Sequence, residues 1–71
     1  MKIVSWNVNG LAACKRKGFL RVLARSGADI FCCQEIKTRC PLSTPGYLQF
    51  WNPAKRPGYS GTLTLTRKEP L

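Results

Sequence analysis

Hydrophobic and polar residues alternate near the start of the chain, and this pattern predicts a β-strand over residues 2–8 (KIVSWNV). Successive side chains of a strand point to opposite faces, so Val4, Trp6 and Val8 share one face and Asn7 lies on the other. The dipeptide NG that follows is a turn signal, and we expect the strand to end there.

The hydrophobic spacing then changes to that of a helix, which we predict from about Ala12 to Ser26. Its apolar stripe consists of Phe19, Leu20, Val22 and Leu23. Gly18 weakens this helix by about 1 kcal/mol relative to Ala. Gly27 suits the left-handed residue that follows the end of many helices.

Three basic residues, Lys17, Arg21 and Arg25, recur at i, i+4 and i+8 and form one face of the predicted helix. Within the predicted helix no acidic residue lies one turn from any of the three, and like charges at this spacing cost about 0.2–0.5 kcal/mol per pair. Two interpretations stay open, a solvated surface or a helix that faces the phosphates of a nucleic acid.

A continuous apolar run within residues 29–35 (DIFCCQE) predicts a second strand that is buried on both faces. Strand, helix and strand in this order form a βαβ unit, with parallel strands and a right-handed crossover. Both strands then end at the same edge of the sheet, so we expect Asn7 and Glu35 to lie near each other. Open α/β sheets bind their ligands at this edge.

The second half of the chain predicts a loop over residues 38–46, a third strand over 47–52 (YLQFWN) and a turn over 53–60 (PAKRPGYS). Thr and Leu alternate over residues 62–66, which predicts a fourth strand with Leu63 and Leu65 towards the core. Residues 1–71 show no internal boundary and form part of one domain. Four strands and one helix are at most one layer of a larger packing, because a sheet must bury a face.

The charge of the chain limits its chemistry and its partners. The 71 residues include 12 Lys and Arg, 3 Asp and Glu and no His, which gives a formal net charge of +9. Catalysis by a histidine base is therefore excluded within this chain, and three carboxylates are few for a multi-metal hydrolase. The excess positive charge favours a polyanionic partner, either nucleic acid or an anionic surface.

Two further features bear on localisation. No stretch approaches the roughly 20 apolar residues of a membrane span. Residues 1–9 lack the apolar centre and the small-residue cleavage site of a signal peptide. We therefore expect a cytoplasmic protein, or a nuclear one if its source is eukaryotic, with no membrane partner; its oligomeric state stays open.

The four cysteines are Cys14, Cys32, Cys33 and Cys40. A disulfide framework and a zinc site are two alternatives, although the chain lacks both an export signal and the paired Cys-x-x-Cys spacing of structural zinc sites. The third interpretation is that the adjacent pair consists of small apolar residues in a buried strand, since free Cys behaves as a small hydrophobe.

Three segments, taken in order, carry a resemblance to a known family: residues 3–11 (IVSWNVNGL), 29–37 (DIFCCQEIK) and 59–61 (YSG) within the context WNPAKRPGYSG. The chain resembles the start of the exonuclease III family of abasic-site (AP) endonucleases, in the endonuclease/exonuclease/phosphatase superfamily. The resemblance covers essentially all 71 residues but about the first quarter of a usual member. It implies an α/β (α+β) fold, an N-terminal βαβ unit plus two further strands of an incomplete, DNase I-like four-layer α/β sandwich.

The resemblance also implies a function, namely a Mg²⁺-dependent phosphodiesterase that cuts double-stranded DNA at abasic sites or trims 3′ ends in base-excision repair, with Mn²⁺ as the alternative ion. Glu35 matches the family's metal-binding glutamate, and Asn7 matches an asparagine that holds the phosphate and metal environment, so both are catalytic and metal-site candidates. Asn9, Lys37 and Tyr59 are DNA-binding candidates by the same resemblance. Mg²⁺ prefers carboxylate oxygen, keeps several waters and completes its shell with substrate phosphate, which suits Glu35.

The chain departs from the family pattern in several places. Ala12 stands where relatives usually have an Arg, Ala28 replaces a frequent Pro, and Cys33 replaces an aliphatic residue. The family's later catalytic residues, an Asp-and-Asn pair and a closing Asp-His pair among them, are absent from these 71 residues. We therefore expect the isolated chain to lack nuclease activity. The alternatives are a non-catalytic, basic nucleic-acid-binding fragment and a fragment that folds poorly alone.

Overall fold

The computed structural model describes residues 1–37, 41–53 and 61–68. Its elements, in chain order, are β1 (Ile3–Asn7), α1 (Leu11–Arg16), α2 (Phe19–Ser26), β2 (Ile30–Gln34), β3 (Tyr47–Pro53) and β4 (Gly61–Arg67). All four strands form one sheet in the order β1-β2-β4-β3. This mixed sheet with two helices confirms the predicted α/β class. The turn predicted over residues 53–60 is wrong for Pro53, which is the last residue of β3. Residues 54–60, which include Tyr59, lie outside the described residues, as does Cys40.

The predicted parallel pairing is confirmed, because β1 and β2 run side by side in parallel from Ile3 opposite Ile30 to Asn7 opposite Gln34. Strand β4 is antiparallel to both of its neighbours, β2 and β3. It therefore lies inside the sheet although it comes last in sequence among the four described strands. Its alternation places Leu63 in the core, as predicted.

The prediction of one helix from Ala12 to Ser26 is wrong, because the segment forms two helices that meet at Gly18. Gly18 has a φ of 108°, a left-handed conformation that an L side chain rarely adopts and that a helix cannot continue through. The expected end of the helix is confirmed, since Gly27 caps α2 with a φ of 65°.

The core lies between the sheet and the two helices. Three aromatic rings form its centre: the Phe19 ring centroid lies 5.8 Å from that of Trp6 and 5.8 Å from that of Phe31. Leu23, also on α2, completes the contact of this helix with the sheet. Each fully buried side chain of this size contributes about 1.5–3 kcal/mol relative to exposure. In contrast to the predicted stripe, Val22 is exposed, because its position turns away from the sheet.

The opposite face of the sheet is open. Ile3 is 62% exposed, Phe50 56% and Leu48 45%. The prediction that β2 is buried on both faces is therefore wrong for Ile30 and Cys32, which are only half-buried. Their side chains point to this open face, while the alternate positions of β2 are fully buried against the helices.

A polar cluster closes the amino edge of the parallel pair. The Asp29 carboxylate accepts a hydrogen bond from the backbone N–H of Lys2 at 2.7 Å, and its Oδ1 lies 3.1 Å from Nε of Arg67. The Arg67 guanidinium also donates to the backbone oxygen of Gly27 at 3.1 Å. These contacts join the start of β1, the start of β2 and the end of β4. No helix within the described ranges is long and apolar enough to cross a membrane.

Candidate active site

The carboxyl edge of β1 and β2 brings the two central candidates together. Asn7 ends β1 opposite Gln34, the last residue of β2, and Glu35 follows directly. The side-chain amide of Asn7 donates a hydrogen bond through Nδ2 to Oε2 of Glu35. Both side chains are exposed to solvent. The proximity expected from the parallel strands is thus observed.

The other polar atom of Asn7 is also engaged. Its Oδ1 accepts a hydrogen bond from the backbone N–H of Asn9 at 3.0 Å, a local turn contact that Asn side chains readily form. The amide plane is therefore held from both sides, and its N–H group is directed at Glu35. This geometry suits Asn7 to the orientation of the carboxylate, and its role as a metal ligand stays a prediction.

Backbone pairing continues past the ends of the two strands and fixes the loops that carry the site. Three N–H groups that follow β1 donate to the carbonyl oxygens of the last residue of β2 and of the two residues after it: Val8 to Gln34 at 3.1 Å, Gly10 to Glu35 at 2.8 Å and Leu11 to Ile36 at 3.0 Å. Leu11 and Ile36 are buried beneath these loops. The exposed polar side chains thus lie above an apolar, hydrogen-bonded base.

Backbone conformations of high energy concentrate at this edge. Asn9, Glu35 and Lys37 have φ values of 47°, 53° and 68°, and they are the only non-glycine residues with positive φ among those described. Asn tolerates this region, whereas for Glu and Lys it costs about 1–3 kcal/mol each. Strain of this kind persists where the surrounding structure enforces it, and it is typical of functional sites.

Lys37 adds a positive charge to the same edge. A Cβ placed on Gly10 would lie 3.6 Å from Cδ of Lys37, so the lysine stem runs beside the glycine in the loop after β1. Lys37 is exposed, as is Asn9 in that loop. The structure therefore brings Asn9 and Lys37 to the edge that holds Glu35, and the position of Tyr59 lies outside the described residues.

A row of polar residues on the open face extends from Asn7 across the sheet, and the sequence analysis missed it. In register, the row runs Asn7, Gln34, Thr62, Asn52. The side chain of Gln34 donates a hydrogen bond through Nε2 to Oγ of Ser5 at 3.0 Å. The signal was present in the sequence as a polar residue at the matching end of every strand, but the strand order was needed to align them.

The carboxylate at this edge of the sheet suits a hydrated divalent cation. Within residues 1–37, 41–53 and 61–68 no group of three or more Asp, Glu, His or Cys side chains could hold a metal. Glu35 is the exposed carboxylate at the site, and Mg²⁺ needs only one or two carboxylates when water and phosphate supply the other ligands. The residues present therefore fit one part of a Mg²⁺ shell.

Two of the thiols within the described ranges, those of Cys14 and Cys33, are unsuited to the chemistry of the site. Burial raises the pKa of the Cys33 thiol to about 12, with nearby Cys14 and Cys32 contributing, and burial also raises the pKa of Cys14 despite the opposing charge of Lys17. Protonated thiols are poor nucleophiles and poor metal ligands at neutral pH. Cys14, Cys32 and Cys33 are free. The interpretation of the adjacent pair as buried apolar residues is confirmed for Cys33, which is fully buried, and is wrong for Cys32, which is half-buried.

Comparison with known proteins places this geometry in context. The model of the Endonuclease/Exonuclease/phosphatase family matches residues 4–71. An exodeoxyribonuclease from Bacillus subtilis is 47% identical over 75 residues, which cover 100% of this chain and 30% of that protein. A DNA-(apurinic or apyrimidinic site) endonuclease from Dictyostelium discoideum is 35% identical and matches 99% of this chain and 21% of its own length. The chain thus spans less than a third of these relatives.

Solved structures agree with the fold. The catalytic domain of Xenopus laevis APE2 superposes with a TM-score of 0.76 at 37% identity, over 94% of this chain and 23% of that one. A Neisseria 3′ phosphatase bound to a product DNA hairpin superposes with a TM-score of 0.78 at 30% identity, over 99% of this chain and 28% of that one. The family resemblance and the fold class inferred from the sequence are confirmed for this part of the domain.

Proposed function

The chain belongs to the Endonuclease/Exonuclease/phosphatase family, and from this premise we propose that it carries the Asn7–Glu35 part of the catalytic centre of a DNA-repair phosphodiesterase. The hydrogen bond between Asn7 and Glu35, at the edge where the parallel strands end, is the observation that carries the proposal. The substrate is double-stranded DNA, cut at abasic sites or at 3′ ends. The similar proteins named for exodeoxyribonuclease and abasic-site endonuclease activity support this choice.

Each residue of the site has a separate task. Glu35 supplies a carboxylate for Mg²⁺, with Mn²⁺ as the alternative ion, and the bound ion would act as a Lewis acid on the phosphoryl group. Asn7 keeps that carboxylate in one orientation through its Nδ2, while Asn9 holds the amide of Asn7 from the other side. The exposed ammonium of Lys37 attracts the phosphate backbone, and Tyr59 is a further DNA contact by resemblance.

We propose in addition that the 71 residues alone do not cleave DNA. They contain no histidine and three carboxylates. Hydrolysis needs a base that prepares the attacking water, in addition to a group that holds the metal. Glu35 cannot take both tasks while its carboxylate is bound to the ion. Residual Mg²⁺-dependent, Glu35-dependent cleavage of an abasic duplex by the pure 71-residue chain would contradict this part of the proposal.

A chimera tests the nuclease function itself. The matching 75-residue segment of the Bacillus subtilis exodeoxyribonuclease is replaced by this chain, and cleavage of an abasic duplex is measured with Mg²⁺. We expect cleavage by the chimera and a loss of about 100-fold or more with Glu35→Gln, the scale on which lost electrostatic stabilisation of the transition state is felt. Glu69→Gln, which removes the same charge outside the site motif, should retain activity. A folded chimera without cleavage would overturn the proposal.

A second candidate function rests on the charge. Five exposed cations on α1 and around α2 form no salt bridge within the described residues, which suits a non-catalytic nucleic-acid binder. This function predicts salt-sensitive, sequence-independent binding that survives Glu35→Gln. The binding function replaces the nuclease function if the chimera binds DNA normally and does not cleave it.

A further inference from the structure

The outer side of the two helices carries a concentration of positive charge. Five exposed basic residues lie there, and we call them the basic helical surface: Lys15, Arg16, Lys17, Arg21 and Arg25. Within the described parts of the chain none of them forms a salt bridge. The two carboxylate side chains of the described residues have other partners, because Asp29 pairs with Arg67 and Glu35 accepts a hydrogen bond from Asn7. The charge of this surface is therefore available to a partner.

Folding does not explain the arrangement of Arg21 and Arg25. The two residues lie one helical turn apart on α2, and like charges at this spacing destabilise a helix. The face that packs on the sheet carries Phe19 and Leu23 instead. Arg25 lies in the last turn, where a cation favours the helix dipole, but Arg21 lies earlier and gains nothing from it.

The helices that carry this surface begin next to the candidate active site and lead away from it. Helix α1 starts at Leu11, directly after the loop that carries Asn9, and α2 ends at Ser26, near the opposite edge of the sheet where Asp29 lies. At the start of the surface, Lys15 donates a hydrogen bond through Nζ to the backbone oxygen of Pro41 at 2.9 Å. Together with Ala12 and Arg16 these two residues line an open cleft of about 370 Å³.

The spacing of the charges suits a phosphate backbone. Residues four apart on a helix are separated by about 6 Å along its axis. Phosphates of one DNA strand repeat every 3.4 Å along the duplex, so Arg21 and Arg25 match positions roughly two nucleotides apart. We propose that Arg21 and Arg25, continuing from Lys17, bind the backbone of duplex DNA that flanks the site. The inference rests on the proposed function, which places duplex DNA at the Asn7–Glu35 edge.

The test is equilibrium binding of the chain to undamaged duplex DNA of about two helical turns, measured by fluorescence anisotropy over a range of salt concentrations without divalent ions. In the wild-type chain the logarithm of the affinity falls linearly with the logarithm of salt. We expect the double variant Arg21→Gln/Arg25→Gln to reduce the steepness of that line by about 1.8, because each phosphate contact contributes about 0.9. Its melting temperature should be unchanged or higher, since a like-charge repulsion is removed.

The matched control is Lys2→Gln/Lys68→Gln, which removes the same charge from two exposed side chains outside the basic helical surface. We expect its salt dependence to stay close to that of the wild type. An equal loss in both double variants would show that only net charge matters and would overturn the proposal. The proposal would also be overturned if the double variant Arg21→Gln/Arg25→Gln, here called the α2 variant, lost binding to phosphatidylglycerol vesicles while its DNA binding stayed unchanged.

Failure of this proposal is distinguishable from failure of the proposed function. Glu35→Gln removes the candidate metal ligand but leaves the basic helical surface intact, so it should bind the undamaged duplex like the wild type. If the α2 variant binds normally while the chimera cleaves DNA, only the flanking contact is wrong. If the α2 variant loses binding while the chimera cleaves nothing, the contact stands and the nuclease function is wrong.

Discussion

The side-chain amide of Asn7 donates a hydrogen bond to the carboxylate of Glu35 across two neighbouring parallel strands. The two residues are 28 positions apart in sequence, and each lies at the carboxyl end of its strand. The bond orients the Glu35 carboxylate, which stays exposed, and the Glu35 backbone has an unfavourable φ of 53°. The site is thus oriented by the fold before any ligand binds.

Removing this bond should weaken metal binding without unfolding the chain. Mn²⁺ binding broadens the amide NMR signals around Glu35, and we expect Asn7→Ala to raise the Mn²⁺ concentration needed for this broadening by about 10-fold. Loss of a residue that orients a metal ligand typically weakens metal affinity by about 10–100-fold. Asn52→Ala is the matched control, because Asn52 is also exposed and lies on the same face in the same row of the sheet. Equal Mn²⁺ responses of the two variants would contradict the orienting role of Asn7.

The break between the two helices predicts the sign of a stability change. Gly18 has a φ of 108°, and a Cβ there would meet no atom within 4 Å, so only backbone strain opposes a side chain. We expect Gly18→Ala to lower the free energy of unfolding by about 1–2 kcal/mol, the cost of a left-handed L residue, as measured by urea denaturation. A single continuous helix would instead gain about 1 kcal/mol from the same change. Stabilisation would therefore contradict the observed break.

The buried thiol of Cys33 should make stability depend on alkaline pH. Its pKa is raised to about 12 in the folded chain from an ordinary value of 9.0, so the folded state keeps a proton that the unfolded state loses. The stabilising contribution is complete below pH 9 and is lost as the pH rises towards 12. We expect the difference in free energy of unfolding between the wild type and Cys33→Ala, measured by urea denaturation, to decrease as the pH rises from 9 towards 12. A constant gap would show that the thiol does not titrate differently on folding.

The polar cluster at the amino edge should stabilise the sheet. Asp29 accepts a hydrogen bond from the backbone of Lys2 and faces Arg67, whose side chain is 34% exposed. Allowing for solvent screening of the arginine, we expect Asp29→Ala to lower the free energy of unfolding by about 1–2 kcal/mol. Lys68→Gln, an exposed neighbour of Arg67, should change it by less than about 0.5 kcal/mol. Similar effects of both changes would contradict a specific contribution of the cluster.

Several features of the site were predictable because they depend on local sequence and on a general property of parallel strands. Residue types typical of strands located β1 and β2, and alternation along β1 placed Asn7 opposite the apolar face. The crossover then implied that Asn7 and Glu35 end at one edge. The hydrogen bond between them, the polar row from Asn7 to Asn52 and the position of Lys37 beside Gly10 were not predictable, since each joins segments that are distant in sequence.

The sequence by itself determined where the strands lie, which side chains alternate towards the core and that Gly27 ends a helix, because side-chain direction and turn conformation are local properties. Only the tertiary structure decided that β4 inserts between β2 and β3, that Gly18 divides the helix and that Ile30 and Cys32 face an open surface. Strand neighbours and burial depend on contacts between distant segments. Local periodicity reports the face on which a residue lies, whereas the packing of the whole chain decides what covers that face.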